Sequence, residues 1–187
     1  MEVQFSDYGF YQIDYDYMRF LYSQDNQVFF AENDNYGRKP YLGVLINLGS
    51  KSYCIPLTSA KRRHLTWSNI GKYNLLIYEI VSYENLHTSD IFKPYGNQYK
   101  KILSVLDIRK MVPVNENLCH RLNFAEIQDD SYRLLLTKEY RFLLHYKNII
   151  IKKAHKLYKK QKETGVIETC CCNFIRLEQA YDEYILI

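Results

Sequence analysis

The chain has 187 residues, a formal net charge of +4 and 47% hydrophobic residues, which suits one folded domain over residues 1–187 and excludes a disordered chain. No run approaches the roughly 18 apolar residues that span a bilayer, and the start Met1-Glu2-Val3-Gln4-Phe5-Ser6-Asp7 has neither a basic segment nor an apolar one, so a cytoplasmic protein with no membrane partner is expected. Five cysteines without a C-x-x-C pair and five scattered histidines leave no zinc ribbon and no redox motif, so no metal and no cofactor is expected.

In chain order, Tyr11–Ile13 reads as a short strand, and Asp14 caps a helix from Tyr15 to about Tyr22. Ser23 to Lys39 is polar and turn-rich, with a short strand expected at Gln27–Phe30. Tyr41 to Leu48, the break Gly49-Ser50 and Lys51 to Leu57 form a β-hairpin. Pro56 cannot donate to a ladder, so the second strand ends or becomes an edge there. Further strands are expected at Tyr73–Val81, Ile102–Leu106 and Met111–Val114. Asp129-Asp130-Ser131 caps a long helix that runs to about Lys162, with Gly165 beyond it; its length leaves room for a bend near the middle. A last helix from Asn173 to Tyr184 places Phe174, Leu177, Tyr181 and Tyr184 on one stripe. Strands followed by helices predict an α+β fold, an antiparallel sheet packed by a long helix and a C-terminal helix.

Nineteen tyrosines accompany the positive charge. Cations for phosphates and flat rings for bases are the means of binding single-stranded RNA, although aromatics also favour strands for packing reasons alone.

Three segments then carry a family resemblance. Lys39-Pro40-Tyr41-Leu42-Gly43-Val44-Leu45, followed by Tyr53-Cys54-Ile55-Pro56-Leu57-Thr58-Ser59-Ala60-Lys61, resembles the lysine, glycine-bearing strand and P-L-T-S-x-K turn of the ToxN/AbiQ endoribonuclease toxins. Phe10-Tyr11-Gln12-Ile13 with Tyr17 is similar to the family's N-terminus. Cys172-Asn173-Phe174-Ile175-Arg176-Leu177-Glu178-Gln179-Ala180-Tyr181 is similar to its closing C-N-F-x-x-L-E-x-x-Y helix. In two places the sequence departs from the pattern: Tyr36 stands one residue closer to the lysine than the family's loop tyrosine, and Ala60 replaces an expected proline.

The resemblance implies a twisted antiparallel sheet closing into a small Kid/MazF-like barrel. It implies metal-independent cleavage of single-stranded cellular or phage RNA to 2′,3′-cyclic phosphate and 5′-hydroxyl ends. It also implies a small pseudoknotted RNA antitoxin that the toxin processes and that closes a toxin–RNA ring, with a role in abortive phage resistance or plasmid maintenance. Lys39, Thr58, Ser59 and Lys61 are the implied catalytic set, the hydroxyls for phosphate oxygens and the lysines for the charge that develops on phosphorus. Tyr17, Tyr36, Arg62, His64 and Tyr132 are the implied RNA contacts. His64 titrates naturally near neutrality and rivals the lysines as a proton acceptor; its plainer reading is a surface histidine in a basic turn. A non-catalytic RNA-binding module on the same fold and a protein-binding adaptor are the competing classes. RNA that stays intact separates the first from an enzyme, and salt-insensitive binding marks the second.

Overall fold

The computed structural model describes residues 8–30 and 42–186. Tyr36, Lys39 and Tyr41 lie outside them. Strand β1 (Phe10–Ile13) leads into helix α1 (Tyr15–Gln24), where the Asp14 carboxylate accepts the Tyr17 amide proton at 2.8 Å. The strand expected at Gln27–Phe30 is not formed. Local turn bonds win there, since the Gln27 amide donates to Asp25 Oδ1 and the Lys110 ammonium donates to the Gln27 carbonyl.

Strands β2 (Leu42–Leu48) and β3 (Lys51–Ser59) form the expected hairpin, with Leu48 opposite Lys51. After them come β4 (Asn74–Val81), β5 (Ile91–Tyr95), β6 (Gln98–Asp107), β7 (Val112–Val114) and β8 (Cys119–Arg121). Helix α2 (Asp130–Thr164) is one uninterrupted helix, capped by the Asp129 side chain and ended by left-handed Gly165. Helix α3 (Phe174–Tyr184) is capped by Asn173. Phe174 and Leu177 are fully buried, and Tyr184 stacks on Tyr17 and Phe20 of α1. Cys54, Cys119, Cys171 and Cys172 are buried free thiols and Cys170 is exposed. No helix among the described residues is long and apolar enough to cross a membrane.

The sheet is antiparallel and eight-stranded, but it does not close into the expected barrel. Its order is β4-β6-β3-β2-β1-β8, with β5 added to β6 and β7 to β3. Opposite its β2 edge, β3 changes partner, pairing with β7 at Ser52–Cys54 and with β6 at Leu57–Ser59. Two wings therefore diverge from this one strand. Barrel closure would need β4 to pair with β8, and no such pairing forms; the N-terminal half of α2 packs instead against both wings. Lys138 pairs with Glu79 of β4, and the Phe142 ring packs on Tyr78 at 5.1 Å. On the other side Tyr140 packs edge-on against Phe10 and Phe124, and its hydroxyl donates to the Tyr8 carbonyl at 3.1 Å.

Gly43 sits where β2 crosses the bend of β3, opposite Pro56. A Cβ there would lie 2.5 Å from both the Ile55 carbonyl oxygen and Cys54 Sγ. The absent side chain lets β3 curve from one wing to the other just before Thr58 and Ser59.

Candidate nucleic-acid site at the end of strand β3

Thr58 and Ser59 are the last residues of β3. Thr58 pairs with Val105 and Ser59 with Ser104 on β6; Val105 and Ser104 in turn pair with Leu76 and Ile77 on β4. Successive strand residues point to opposite faces, so the two hydroxyls straddle the sheet. The Thr58 face carries the small cluster of Leu76, Ile102 and Val105, packed by Ala60, Trp67 and Ile91. Ser59 is exposed and shares its face with Ser104, Ile77 and the main core.

Lys61 then opens a 3-10 turn, Arg62–Thr66. Lys61, Arg62 and Arg63 are exposed, whereas His64 is fully buried. The His64 amide donates to the Lys61 carbonyl at 2.8 Å, and the Lys61 amide donates back to His64 Nδ1 at 3.0 Å. Beneath lies a stack: the His64 ring on Trp67 at 4.7 Å, then the Arg109 guanidinium at 5.9 Å from the Trp67 ring. Arg109 is fixed by a forked pair with the buried Asp107 carboxylate, at 3.0 and 2.8 Å. Burial and the neighbouring Arg63 and Lys61 charges hold the His64 pKa below its usual value. The imidazole is therefore the anchor of the basic turn, and the sequence-based reading of an RNA-contacting or surface histidine does not match its burial.

Tyr17 is likewise placed in the core. It has no exposed surface, and its hydroxyl donates to the Pro113 carbonyl at 2.7 Å, so its ring is not available to stack on a base. Tyr132 is half-buried in the first turn of α2, where its amide is taken by the Asp129 cap. It lies beside Glu139, one helical repeat of seven residues on, and Glu139 lies beside Ser104. Tyr132, Glu139, Ser104 and Ser59 thus gather on one side of the sheet. Burial raises the Glu139 carboxyl to about 7. Sequence reasoning missed this group, yet the signal was present. The buried positions of α2 are Leu136, Glu139, Leu143, Ile150, Ala154, Leu157 and Gln161, and a carboxylate in such a stripe is a conspicuous guest. Among the described residues no three His, Cys, Asp or Glu side chains gather as metal ligands.

Several lysines toward the end of α2 are engaged by neighbouring groups. Lys153 donates to the Gly71 carbonyl, Lys160 pairs with Glu168 and Lys162 pairs with Glu178. Lys153, Lys156, Lys159 and Lys160 also line a groove together with Lys72 and Tyr73.

An exposed hydroxyl at a strand end is thus followed by cations on a turn anchored by a buried histidine, an arrangement able to hold phosphate oxygens. The sequence model for the ToxN toxin of type III toxin–antitoxin systems matches residues 9–182. The chain belongs to that family. It is 28% identical to the endoribonuclease ToxN of Bacillus thuringiensis subsp. kurstaki over 184 residues, covering 94% of this chain and 83% of the relative. A second endoribonuclease ToxN, from Pectobacterium atrosepticum, is 24% identical over 176 residues, covering 94% and 92% of the two chains. The fold matches the solved structure of a type III toxin selectively inhibited by a non-coding RNA pseudoknot, with a TM-score of 0.71 and 24% identity over 96% of this chain and 99% of that one.

Proposed function

We propose that this protein is an endoribonuclease toxin that cuts single-stranded RNA by transesterification at the end of β3. The ribose 2′-hydroxyl loses its proton and attacks the adjacent phosphorus. The new 2′-O–P bond displaces the 5′-oxygen, which takes up a proton, leaving a 2′,3′-cyclic phosphate and a 5′-hydroxyl. Because the substrate carries its own nucleophile, the reaction asks the protein for alignment and charge, with no step assigned to a metal. Ser59 donates to a non-bridging oxygen, and Lys61 supplies positive charge where the phosphorane forms. Lys39, three residues before β2, supplies the second charge, and Thr58 approaches from the opposite face of the sheet. Arg62 takes a neighbouring phosphate, while Tyr132 borders the Ser59 side.

One observation carries this reading: an exposed serine sits two residues before a lysine whose backbone is bonded at both ends to a buried histidine. Such anchoring removes the freedom that would otherwise be lost on reaching the transition state. A small pseudoknotted RNA, processed by the toxin and closing a ring with it, is the proposed antitoxin, and the lysine groove along α2 is the surface that suits it. Arrest of phage infection or plasmid maintenance is the proposed role.

The test is incubation of the purified protein with mixed-sequence RNA in EDTA, followed by analysis of the product ends. Cyclic phosphates that disappear in Ser59→Ala and fall at least about 100-fold in Lys61→Ala, on the scale of a lost charge-stabilising donor, are the expected result. Intact RNA from folded protein freed of bound RNA would remove the catalytic reading.

A further inference from the structure

The β5–β6 hairpin is a second basic and aromatic surface, apart from the residues assigned to cleavage. Lys93 pairs with Lys100 across the two strands, and Tyr95 with Gln98 at the tip. The Lys100 ammonium lies 4.2 Å from the Tyr95 ring centre and 4.7 Å from that of Tyr78. One cation thus holds two tyrosines in place, and half of Tyr95 remains exposed. Nearby acids are already engaged, Asp90 by Lys101 at 3.0 Å and Glu79 by Lys138. Among the described residues neither Lys93 nor Lys100 makes an ion pair. Burial, and after it the facing Lys100 charge, lower the Lys93 pKa.

This surface is joined to the cleavage turn. The Lys93 ammonium donates to the Trp67 carbonyl, at the foot of the 3-10 turn that carries Lys61 and Arg62. Ile91 of the same strand packs in the cluster on the Thr58 face. Cations therefore continue from Arg62 through Lys93 to Lys100, with Tyr95 beyond them.

We propose that the β5–β6 hairpin grips single-stranded substrate RNA outside the scissile bond, Lys93 and Lys100 holding phosphates and Tyr95 stacking on a base. This rests on the reading of the β3 end as the cleavage site. The charge order fits a polyanion, and an exposed ring braced by a cation fits a base whatever its identity. Folded RNA presents few unstacked bases, so a flexible single strand suits Tyr95 better than a pseudoknot does. RNA reaching this far is held in two places, and the hairpin contributes to substrate length preference while taking no part in bond-breaking.

The experiment compares wild type with Lys100→Ala and Tyr95→Ala on a series of unstructured oligonucleotides of increasing length. Each substitution is expected to raise KM roughly tenfold on long substrates, the order of one lost base stack, with kcat and the cleavage of the shortest substrates unchanged. Lys100→Ala is also expected to lower the slope of log affinity against log salt by about 0.7, as for one phosphate contact to a single strand. Unchanged KM and salt slope across the series would overturn the proposal. So would weaker binding of a folded pseudoknot RNA with single-strand binding intact. Direct binding of a labelled oligonucleotide to Ser59→Ala separates the two readings: a wild type that never cuts refutes the cleavage site, whereas only indifference to the hairpin substitutions refutes the grip.

Discussion

His64 provides the sharpest test of how the site is built. Replacing it with alanine removes an imidazole with no exposed surface, its 3.0 Å bond from the Lys61 amide and its contact with Trp67. Removing the partner of the part-buried Lys61 amide costs about 1–3 kcal/mol, and the lost ring contact adds about 0.5–1.5 kcal/mol. A total of about 2–4 kcal/mol corresponds to a melting temperature lower by about 5–15 °C for a domain of this size. The loss should fall on the Lys61 turn, so kcat should drop with it. Asparagine offers an oxygen where Nδ1 stands, and His64→Asn should recover the cap and most of the cleavage rate. The pH dependence follows from the lowered pKa. The unfolded imidazole binds a proton at a higher pH than the folded one, so the anchor's contribution is present above about pH 6.5 and is lost as the pH falls below it. Thermal melts and single-turnover cleavage across pH 5–8, run on wild type, His64→Ala and His64→Asn, check this. An asparagine variant that melts like wild type but is as inactive as alanine would refute the reasoning, because the ring would then be performing chemistry its burial denies it.

Gly43→Ala should destabilise the protein by about 1–3 kcal/mol, the usual cost of overpacking, because its Cβ would press on the Ile55 carbonyl at the bend of β3; denaturant titration measures this, and an unchanged midpoint would contradict it. Glu139→Gln should stabilise the protein at alkaline pH. The carboxyl is raised to about 7, so its folded state favours the proton, and stability is lost as pH rises from the unfolded value through 7; removing the charge recovers up to about 3 kcal/mol at pH 8 and little at pH 4, read as the difference between melting curves at the two pH values.

Much of the fold was legible where local chemistry decides it. Asp14, Asp129 and Asn173 were readable as helix starts, and each side chain accepts an amide proton of its first turn. The hairpin through Gly49-Ser50 was readable from its apolar strands and their break. Strand β5 and the start of β6 were missed because Lys93-Pro94 and Lys100-Lys101 carry no apolar alternation, and β8 because His120 and Arg121 are exposed. Those strands exist through pairing with distant neighbours, which single-sequence patterns do not encode. The same limit hid the openness of the sheet. For the candidate site, the family resemblance pointed to the Thr58–Lys61 segment but not to its division between two sheet faces. Tyr17 was assigned to RNA when its spacing with Leu21 on α1 already suited a buried helix face, and Lys39 and Tyr36 lie outside the described residues.

The helix that bridges the two wings has a consequence for how such a nuclease can diversify. A closed barrel ties its radius to strand number and stagger, so widening it means re-registering hydrogen-bonded ladders. Here the gap is set by side chains: Lys138, Tyr140 and Phe142 against Glu79, Phe10 and Tyr78. Substitutions in that row alter the splay of the two wings while leaving every ladder intact, and β3, which joins the wings, carries the change to its own free end. The splay around the proposed cleavage site can therefore be tuned from the helix whose Tyr132 and Glu139 lie on the Ser59 side of the sheet.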